Sequence, residues 1–289
     1  FTSGRSAMSV PVLYTQHDLF CLQEASRRML YHLKIPHTAR VINVFPYAPH
    51  LAFWQAVYAT NYLGIFGVHT GGGKGMGTSK ILDVLEHMGA EVLIGMPSYV
   101  YHLLSLAAEK KRDLTSLRYI LLGGEAVTHG YIEKIKQLLA LCGSHLPLVY
   151  CTYAFTEGKV SWTQCHEGSG YHLYPDMEVI EIVDPQGKRV PDGQNGEIVY
   201  TGLNFRGTVF LRYKTGDIGQ LQVGACPYCG AKTPRLDPAI TRSSEITSLQ
   251  LTKVKGSLVD LNALHALLSS LSFVDEWQLV LQKKEKFDL

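Results

Sequence analysis

The chain has 289 residues, 46% of them hydrophobic and 18% charged, with 27 Lys+Arg against 25 Asp+Glu for a formal net charge of +2. A charge fraction below the roughly 25% usual for soluble domains, beside ordinary apolar content, excludes a disordered chain, and the near-balance of signs excludes the basic excess of a nucleic-acid binder. No apolar run reaches the roughly 18 to 20 residues that span a bilayer, so a soluble, cytoplasmic protein with neither membrane nor nucleic acid as partner is expected.

Residues 18 to 34 carry apolar side chains at helical spacing (Leu19, Leu22, Ala25, Met29, Leu30, Leu33) behind the acidic cap candidate Asp18, which predicts an amphipathic helix. A buried strand follows at 41–45, a helix at 51–63, a strand at 64–68 and a loose glycine turn at 71–75. Helices are then predicted at 79–87, 99–110 and 130–141, alternating with strands at 91–95, 119–124 and 147–150. Strand alternating with helix means parallel strands joined by crossover helices, so the chain to about residue 170 reads as an α/β fold with layered parallel or mixed sheets. Beyond it the period becomes two. Residues 177–183 and 196–201 alternate polar and apolar around Pro/Gly/Asp turns, predicting a small antiparallel β subdomain over about 171–240. A strand, a helix near 261–271 and a strand at 277–282 read as the start of a small α+β domain over 241–289.

Ligands in open α/β sheets bind outside the carboxyl ends of the strands. Two predicted ends carry suggestive loops, Gly123-Gly124-Glu125-Ala126 and Tyr153-Ala154-Phe155-Thr156-Glu157-Gly158. A threonine hydroxyl can donate to a phosphate while the neighbouring carboxylate supplies a hard oxygen to Mg²⁺, although a solvated Thr-Glu cap explains the same dipeptide. Asp217, in Arg212-Tyr213-Lys214-Thr215-Gly216-Asp217, is either a turn residue or an acceptor for ribose hydroxyls. The opening Thr2-Ser3-Gly4-Arg5-Ser6-Ala7-Met8-Ser9-Val10-Pro11 is hydroxyl-rich and can cradle phosphates through backbone N–H groups. Cys21, Cys142 and Cys151 sit in apolar surroundings and read as buried hydrophobes. Cys226-x-x-Cys229 is half of a zinc-knuckle pattern, and Cys165, His166 and His172 offer the other half; free thiols at a turn are the alternative.

Taken in order, Thr2-Ser3-Gly4…Pro11, Gly123-Gly124-Glu125-Ala126, Tyr153-x-x-Thr156-Glu157, Gly196-Glu197-Ile198-Val199, Arg212 to Asp217 and Thr241-Arg242-Ser243-Ser244-Glu245 resemble the motif series of the adenylate-forming superfamily of acyl-CoA synthetases, luciferases and adenylation domains. Met96-Pro97-Ser98-Tyr99 and the 226–236 segment narrow the resemblance to the phenylacetate–CoA ligase branch. It implies an ATP-dependent carboxylate–CoA ligase of the aryl-acid type: the acid attacks the α-phosphate of ATP to give an acyl-adenylate and pyrophosphate, and the thiol of coenzyme A then displaces AMP. By the same resemblance Thr156 holds phosphate, Glu157 binds Mg²⁺, and Arg242 reaches the ribose or phosphate. Tyr153, Gly124, Glu125 and Ala126 line the adenine pocket, Asp217 takes the ribose hydroxyls, and Ser3, Gly4 and Ser6 belong to the phosphate loop. Tyr47, His50, Phe53, Pro97, Ser98, Tyr99 and Ala154 line an acyl pocket for an aryl or arylacetic acid. Related ligases carry a similar cysteine–histidine segment, which makes Cys165, His172, Cys226 and Cys229 the ligands of a structural Zn²⁺, with His166 a bystander. A homodimer is the family expectation.

Departures from the family pattern accompany this. The phosphate loop lacks one glycine and one threonine, Ala154 and Thr241 replace glycines, and Ser244 stands where a hinge aspartate is common. Lys283, Lys284 and Lys286 do not match the catalytic lysine and are expected to form a solvated face. With Phe1 and Leu289 reading as cut ends, residues 1–240 are expected to be an N-terminally shortened core domain and 241–289 an incomplete lid, with the catalytic lysine further on. The second expectation, from a different class, is a zinc-stabilised non-catalytic or altered homologue that binds nucleotide or transfers the acyl group to an acceptor other than CoA.

Overall fold

The computed structural model of the chain describes residues 10–47, 51–242 and, further on, 253–254, 257–258, 267–268, 270–271 and 273–274. Ser3, Gly4, Ser6, His50, Ser244, the three tail lysines and most of 241–289 therefore lie outside the described residues.

Helix α1 (Gln16–Leu33) begins two residues earlier than its periodicity predicts because Thr15 caps it. The Thr15 hydroxyl accepts from the Asp18 N–H at 3.2 Å, and the Asp18 carboxylate accepts from the Thr15 N–H at 2.9 Å, a reciprocal capping box. Lys34, left-handed at φ 53°, ends it. Strands β1 (Val41–Asn43), β2 (Gly67–His69), β3 (Val92–Gly95), β4 (Tyr119–Leu122), β5 (Leu148–Ala154) and β6 (Ser161–Thr163) form one sheet in the order β2-β1-β3-β4-β5-β6. All neighbours are parallel except β5 and β6, whose antiparallel pairing follows from the short turn 155–160 between them and makes this a mixed sheet, within the expected parallel or mixed layers.

Alternation along these strands sets both faces. Val41, Val92, Leu121 and Tyr150 pack against Met29, Leu30 and Leu33 of α1, whereas Ile42, Leu93, Ile120 and Leu122 face the opposite core. That core is built by α4 (Thr78–His87), α5 (Pro97–Glu109) and α6 (His129–Leu141) through Leu82, Leu85, Leu103, Leu104, Ile135 and Leu139. Each such side chain is worth roughly 1.5–3 kcal/mol relative to exposure, and burial on both faces is what parallel sheets require. Between β1 and β2 runs α2 (Leu51–Leu63), and the predicted loose glycine turn is instead the one-turn helix α3 (Gly72–Gly75).

The period-two region forms two antiparallel sheets. One joins β8 (Glu178–Val183), β9 (Gly196–Gly202), β10 (Tyr213–Gly219) and β13 (Thr241–Arg242) in the order β13-β10-β9-β8. The other joins β7 (Tyr171–His172), β11 (Leu221–Gln222) and β12 (Arg235–Leu236) in the order β11-β12-β7. Beyond them Lys253–Val254 pairs with Ser257–Leu258 as a short hairpin. No described helix is long and apolar enough to cross a membrane.

Glu178 is 2% exposed at the seam between the layers and accepts from the Trp162 indole and the Tyr174 N–H. Its second oxygen has no hydrogen-bond partner. Burial outweighs these two bonds and, with Asp176 nearby, pushes its carboxyl up to about 8. A carboxyl raised in the folded state above its ordinary 4.5 gives stability that is full below pH 4.5 and lost as pH climbs to about 8. Glu178→Gln is expected to abolish that slope; chemical-denaturation midpoints measured from pH 5 to 9 check it, and an unaltered slope in the variant would contradict it.

Candidate active site

The carboxyl ends of β1 to β5 open at one edge of the sheet, and the loops leaving them carry most of the residues singled out in the sequence. Leaving β4, Gly123 approaches β5 so closely that a β carbon there would lie 2.4 Å from Thr152 Oγ1, which only glycine avoids. Gly124 follows at φ +88° and Glu125 turns back toward α5. Glu125 accepts from the Ser98 N–H at 2.8 Å and the Ser98 hydroxyl at 2.7 Å. Its carboxylate thus satisfies the first turn of α5, where Pro97 needs no partner of its own. Ala126 follows in the same loop.

Tyr153, the next-to-last residue of β5, donates to Asp217 Oδ2 at 2.6 Å, and Arg242 Nε lies 2.9 Å from Asp217 Oδ1. Asp217 and Arg242 face one another in the β10–β13 ladder, which fixes that pair through the backbone. Arg242 also donates to the Thr215 carbonyl at 3.2 Å, while the Thr215 hydroxyl bonds both the Asp217 N–H and the Ile198 carbonyl. Burial and the adjacent Asp217 carboxylate raise the Tyr153 phenol well above its ordinary value, so it stays a donor. Behind it the Trp162 ring stacks at 5.7 Å and 28°. Asp217 is 3% exposed, whereas half of the Arg242 side chain is open to solvent.

Thr156, Glu157 and Gly158 form a single 3-10 turn immediately after β5. Tyr213 donates to Glu157 Oε1 at 2.6 Å, and Tyr213, Thr215 and Asp217 all stand on β10, whose pairing with β9 shifts register between Lys214 and Ile218. One strand therefore holds both ends of the Tyr153–Glu157 loop. In the sequence Asp217 stands out while Tyr213, four residues before it in the same motif, carries no assigned role; its place in that motif is the signal that could have marked it. Trp162, Gln55 and Thr152 also go unmarked, because nothing local distinguishes them from core.

The described acyl-pocket residues fall in three places. Tyr47 packs edge-on against Phe53 at 5.3 Å and against Trp54 at 5.4 Å, with Phe53 buried and Tyr47 exposed. Pro97 and Ser98 open α5, and the Tyr99 hydroxyl lies 3.3 Å from Thr78 Oγ1. Ala154 is the exposed last residue of β5. A partly open pocket of about 40 Å³ lies elsewhere, between α1, α2 and the sheet, lined by Phe45, Ala52, Gln55, Ala56 and Thr152 among others. Phe45 and Thr152 also flank Gly123, so this space abuts the Gly123–Ala126 loop. The buried amide nitrogen of Gln55 has no partner there.

Cys165, His172, Cys226 and Cys229 converge, with their ligand atoms all within 4.8 Å of one another. Cys165 Sγ lies 3.6 Å from Cys226 Sγ, and Cys229 Sγ lies 3.7 Å from His172 Nε2. A tetrahedron with Zn–S bonds of about 2.3 Å separates its sulfurs by about 3.8 Å, and the Cys165–Cys226 separation is close to that, so the four donors could hold a metal ion. Against the pull of burial, the N–H groups of Cys229 and Tyr228 point at Cys226 and lower its thiol, while burial raises that of Cys165 beside it. Burial, the stacked His32 ring and Arg235 push His172 down to about 4, leaving a neutral imidazole. His166 instead stacks on Tyr228 at 4.2 Å, outside the cluster. Cys21, Cys142 and Cys151 are buried free thiols.

Compared with known proteins, the sequence profile of the AMP-binding enzymes matches residues 1–213. The chain belongs to this AMP-binding enzyme family. Among curated relatives of this AMP-binding enzyme, the phenylacetate-coenzyme A ligase of Thermus thermophilus is 26% identical over 296 residues, covering 99% of this chain and 63% of that protein. The Pseudomonas putida enzyme of the same name is 27% identical over 233 residues, covering 77% and 50%. The chain thus spans about half to just under two thirds of the length of these relatives. In structure it is similar to 2-hydroxyisobutyryl-CoA ligase in the postadenylation state (TM-score 0.74, 23% identity, 90% of this chain and 54% of that one). It also resembles a long-chain-fatty-acid-CoA ligase from Archaeoglobus fulgidus (TM-score 0.64, 16% identity, 87% and 52%). These likenesses agree with the layered α/β fold, and the family with the motif series.

Proposed function

We propose that this AMP-binding enzyme contributes the adenylate-forming site of an ATP-dependent carboxylate–CoA ligase acting on an aryl or arylacetic acid. The observation that carries the proposal is the Tyr153–Asp217–Arg242 constellation set beside Thr156 and Glu157, all at the carboxyl edge of the parallel sheet. A carboxylate offers roughly four lone-pair positions, so Asp217 can accept ribose hydroxyls alongside its protein donors once the half-exposed Arg242 gives way. Tyr153, backed by Trp162, supplies a flat aromatic wall for adenine. Arg242 then faces the ribose-phosphate side, where its fixed charge favours the transition state.

Glu157 fits Mg²⁺: it is a hard oxygen donor, half-buried, and oriented by Tyr213. Bound with ATP, the ion would neutralise charge on the phosphates; Thr156 would donate to a phosphate oxygen, and Arg242 would offset the charge that develops as the acid attacks. Zn²⁺ on Cys165, His172, Cys226 and Cys229 would close its shell with four protein ligands and so serve structure, tying β7 to the loop between β11 and β12. The aryl preference is supported by the names of the curated relatives and by the ring cluster of Tyr47, Phe53 and Trp54. Cytoplasmic action, a homodimer, CoA as acceptor and the 1–240 core with its 241–289 lid segment complete this proposal. The altered phosphate-loop sequence favours one alternative, a homologue that binds nucleotide but forms no CoA thioester.

The nucleotide part of the proposal is tested by binding. Hydrogen bonds to a charged group are worth about 1.5–3 kcal/mol, so Asp217→Asn is expected to weaken AMP binding by roughly 10- to 100-fold in calorimetry while keeping an acceptor for Tyr153. Unchanged AMP affinity would contradict the ribose assignment.

A further inference from the structure

One buried ion pair has no part in the chemistry above. Lys159, 1% exposed, lies 3.2 Å from Asp18 Oδ2, and Asp18 itself is fully buried. The Lys159 ammonium also donates to the Leu13 carbonyl at 2.9 Å and sits 4.9 Å and 5.3 Å over the rings of Tyr14 and Phe205. Asp18 in turn accepts from the backbone N–H groups of Thr15, Arg206 and Gly207. Burial alone would raise its carboxyl; these donors together with Lys159 hold it down at about 2, so Asp18 is a carboxylate across the working range of pH. Thr208 closes the seam, its hydroxyl accepting from the Leu13 N–H at 2.9 Å and its own N–H bonding the Leu13 carbonyl at 3.1 Å.

What this hub holds is specific. Lys159 directly follows Thr156-Glu157-Gly158 and stops that 3-10 turn in the left-handed conformation at φ 59°, unfavourable for a residue with a β carbon. Gly158 is wedged so tightly that a β carbon would meet Trp162 at 2.9 Å and Phe155 at 3.0 Å. With the backbone of the turn pinned by Gly158 on one side, the anchored Lys159 side chain sets the other. The chain it grips, 13–18, continues from the hydroxyl-rich run that ends at Pro11. A buried ion pair is weak evidence of stability and better evidence of a fixed register.

We propose that Lys159, clamped by Asp18 and the Leu13 carbonyl, is a positioning residue that fixes Thr156 and Glu157 relative to the 13–18 segment for recognition of the ion and phosphates of Mg·ATP. The proposal rests on the nucleotide assignment of the site. It predicts a split between two ligands: AMP, which brings no ion for Glu157, is held mainly by Tyr153 and Asp217, on β5 and β10, whereas Mg·ATP also needs Glu157 and its turn in register. Lys159→Met keeps an unbranched side chain one atom shorter and leaves Asp18 with three backbone donors, so the carboxylate stays hydrogen-bonded without its charge partner.

Calorimetric titration with Mg·ATP and, separately, with AMP tests it. Lys159→Met should weaken Mg·ATP at least tenfold and AMP less than threefold. Thr208→Val, a milder cut in the same seam at a partly exposed position, should shift the Mg·ATP to AMP ratio in the same direction by about threefold, and it keeps the test open if Lys159→Met does not fold. Equal losses for both ligands, or no change in the ratio in either variant, would overturn the positioning role. Failure of the unaltered protein to bind either nucleotide would instead remove the assignment on which it rests.

Discussion

Glu157→Gln is expected to lower Mg²⁺-dependent adenylation at least about a hundredfold while leaving the fold unchanged, a loss of the size seen when a group that stabilises transition-state charge is removed. The argument is local. The amide oxygen of glutamine still accepts from the Tyr213 hydroxyl that now lies 2.6 Å from Glu157 Oε1, so the 3-10 turn keeps its tie to β10. What is lost is the full negative charge that holds the ion. Pyrophosphate formation followed as Mg²⁺ is titrated separates the two roles: the variant should show a weaker Mg²⁺ dependence and a depressed plateau, with unaltered thermal unfolding. Normal activity at ordinary Mg²⁺ concentration would remove Glu157 from the assignment.

The second large effect is expected at the cysteine–histidine cluster. Structural zinc contributes apparent binding energies of about 10–16 kcal/mol in isolated fingers, and part of that would here be stability of the β7-β12-β11 sheet. Purified protein is expected to carry about one zinc per chain by elemental analysis, and Cys226→Ser to lose it with a clear drop in unfolding temperature. Cys226 is the informative position because it is buried, receives the knuckle N–H groups and lies against Cys165. Metal-free protein with the same unfolding temperature as protein supplied with zinc would contradict the assignment. His166→Ala should leave zinc content unchanged, since that ring stacks on Tyr228 outside the donor set.

The sequence made the parallel layer legible because each strand and helix there carries its own period. Residues 51–63 and the run from Thr78 to Leu141 could be placed to within a residue or two for that reason. The short pieces β6, β7, β11 and β12 could not, since two or three residues have no measurable period and exist only through their partners. The glycine-rich 72–75 segment became a helical turn against the local preference of glycine, with Gly72 buried beneath it.

The site shows the same division. Tyr153, Thr156, Glu157, Asp217 and Arg242 stand in short ordered motifs, whereas the Asp18–Lys159 pair spans 141 positions and leaves no local mark. Glu125 illustrates a different limit. Its motif was plain, but its engagement with the first turn of α5 depends on Ser98, 27 residues away.

Acid-dependent exchange of pyrophosphate into ATP tests the central claim most directly, because it requires nucleotide, acid and magnesium to meet in one site without involving CoA. With Mg²⁺ and a panel of aryl and arylacetic acids, the protein is expected to exchange pyrophosphate with at least one acid well above the rate without acid, and Asp217→Asn and Glu157→Gln should each suppress that increment. Binding of AMP without exchange for any acid in the panel would contradict the adenylating role and leave a nucleotide-binding homologue in its place.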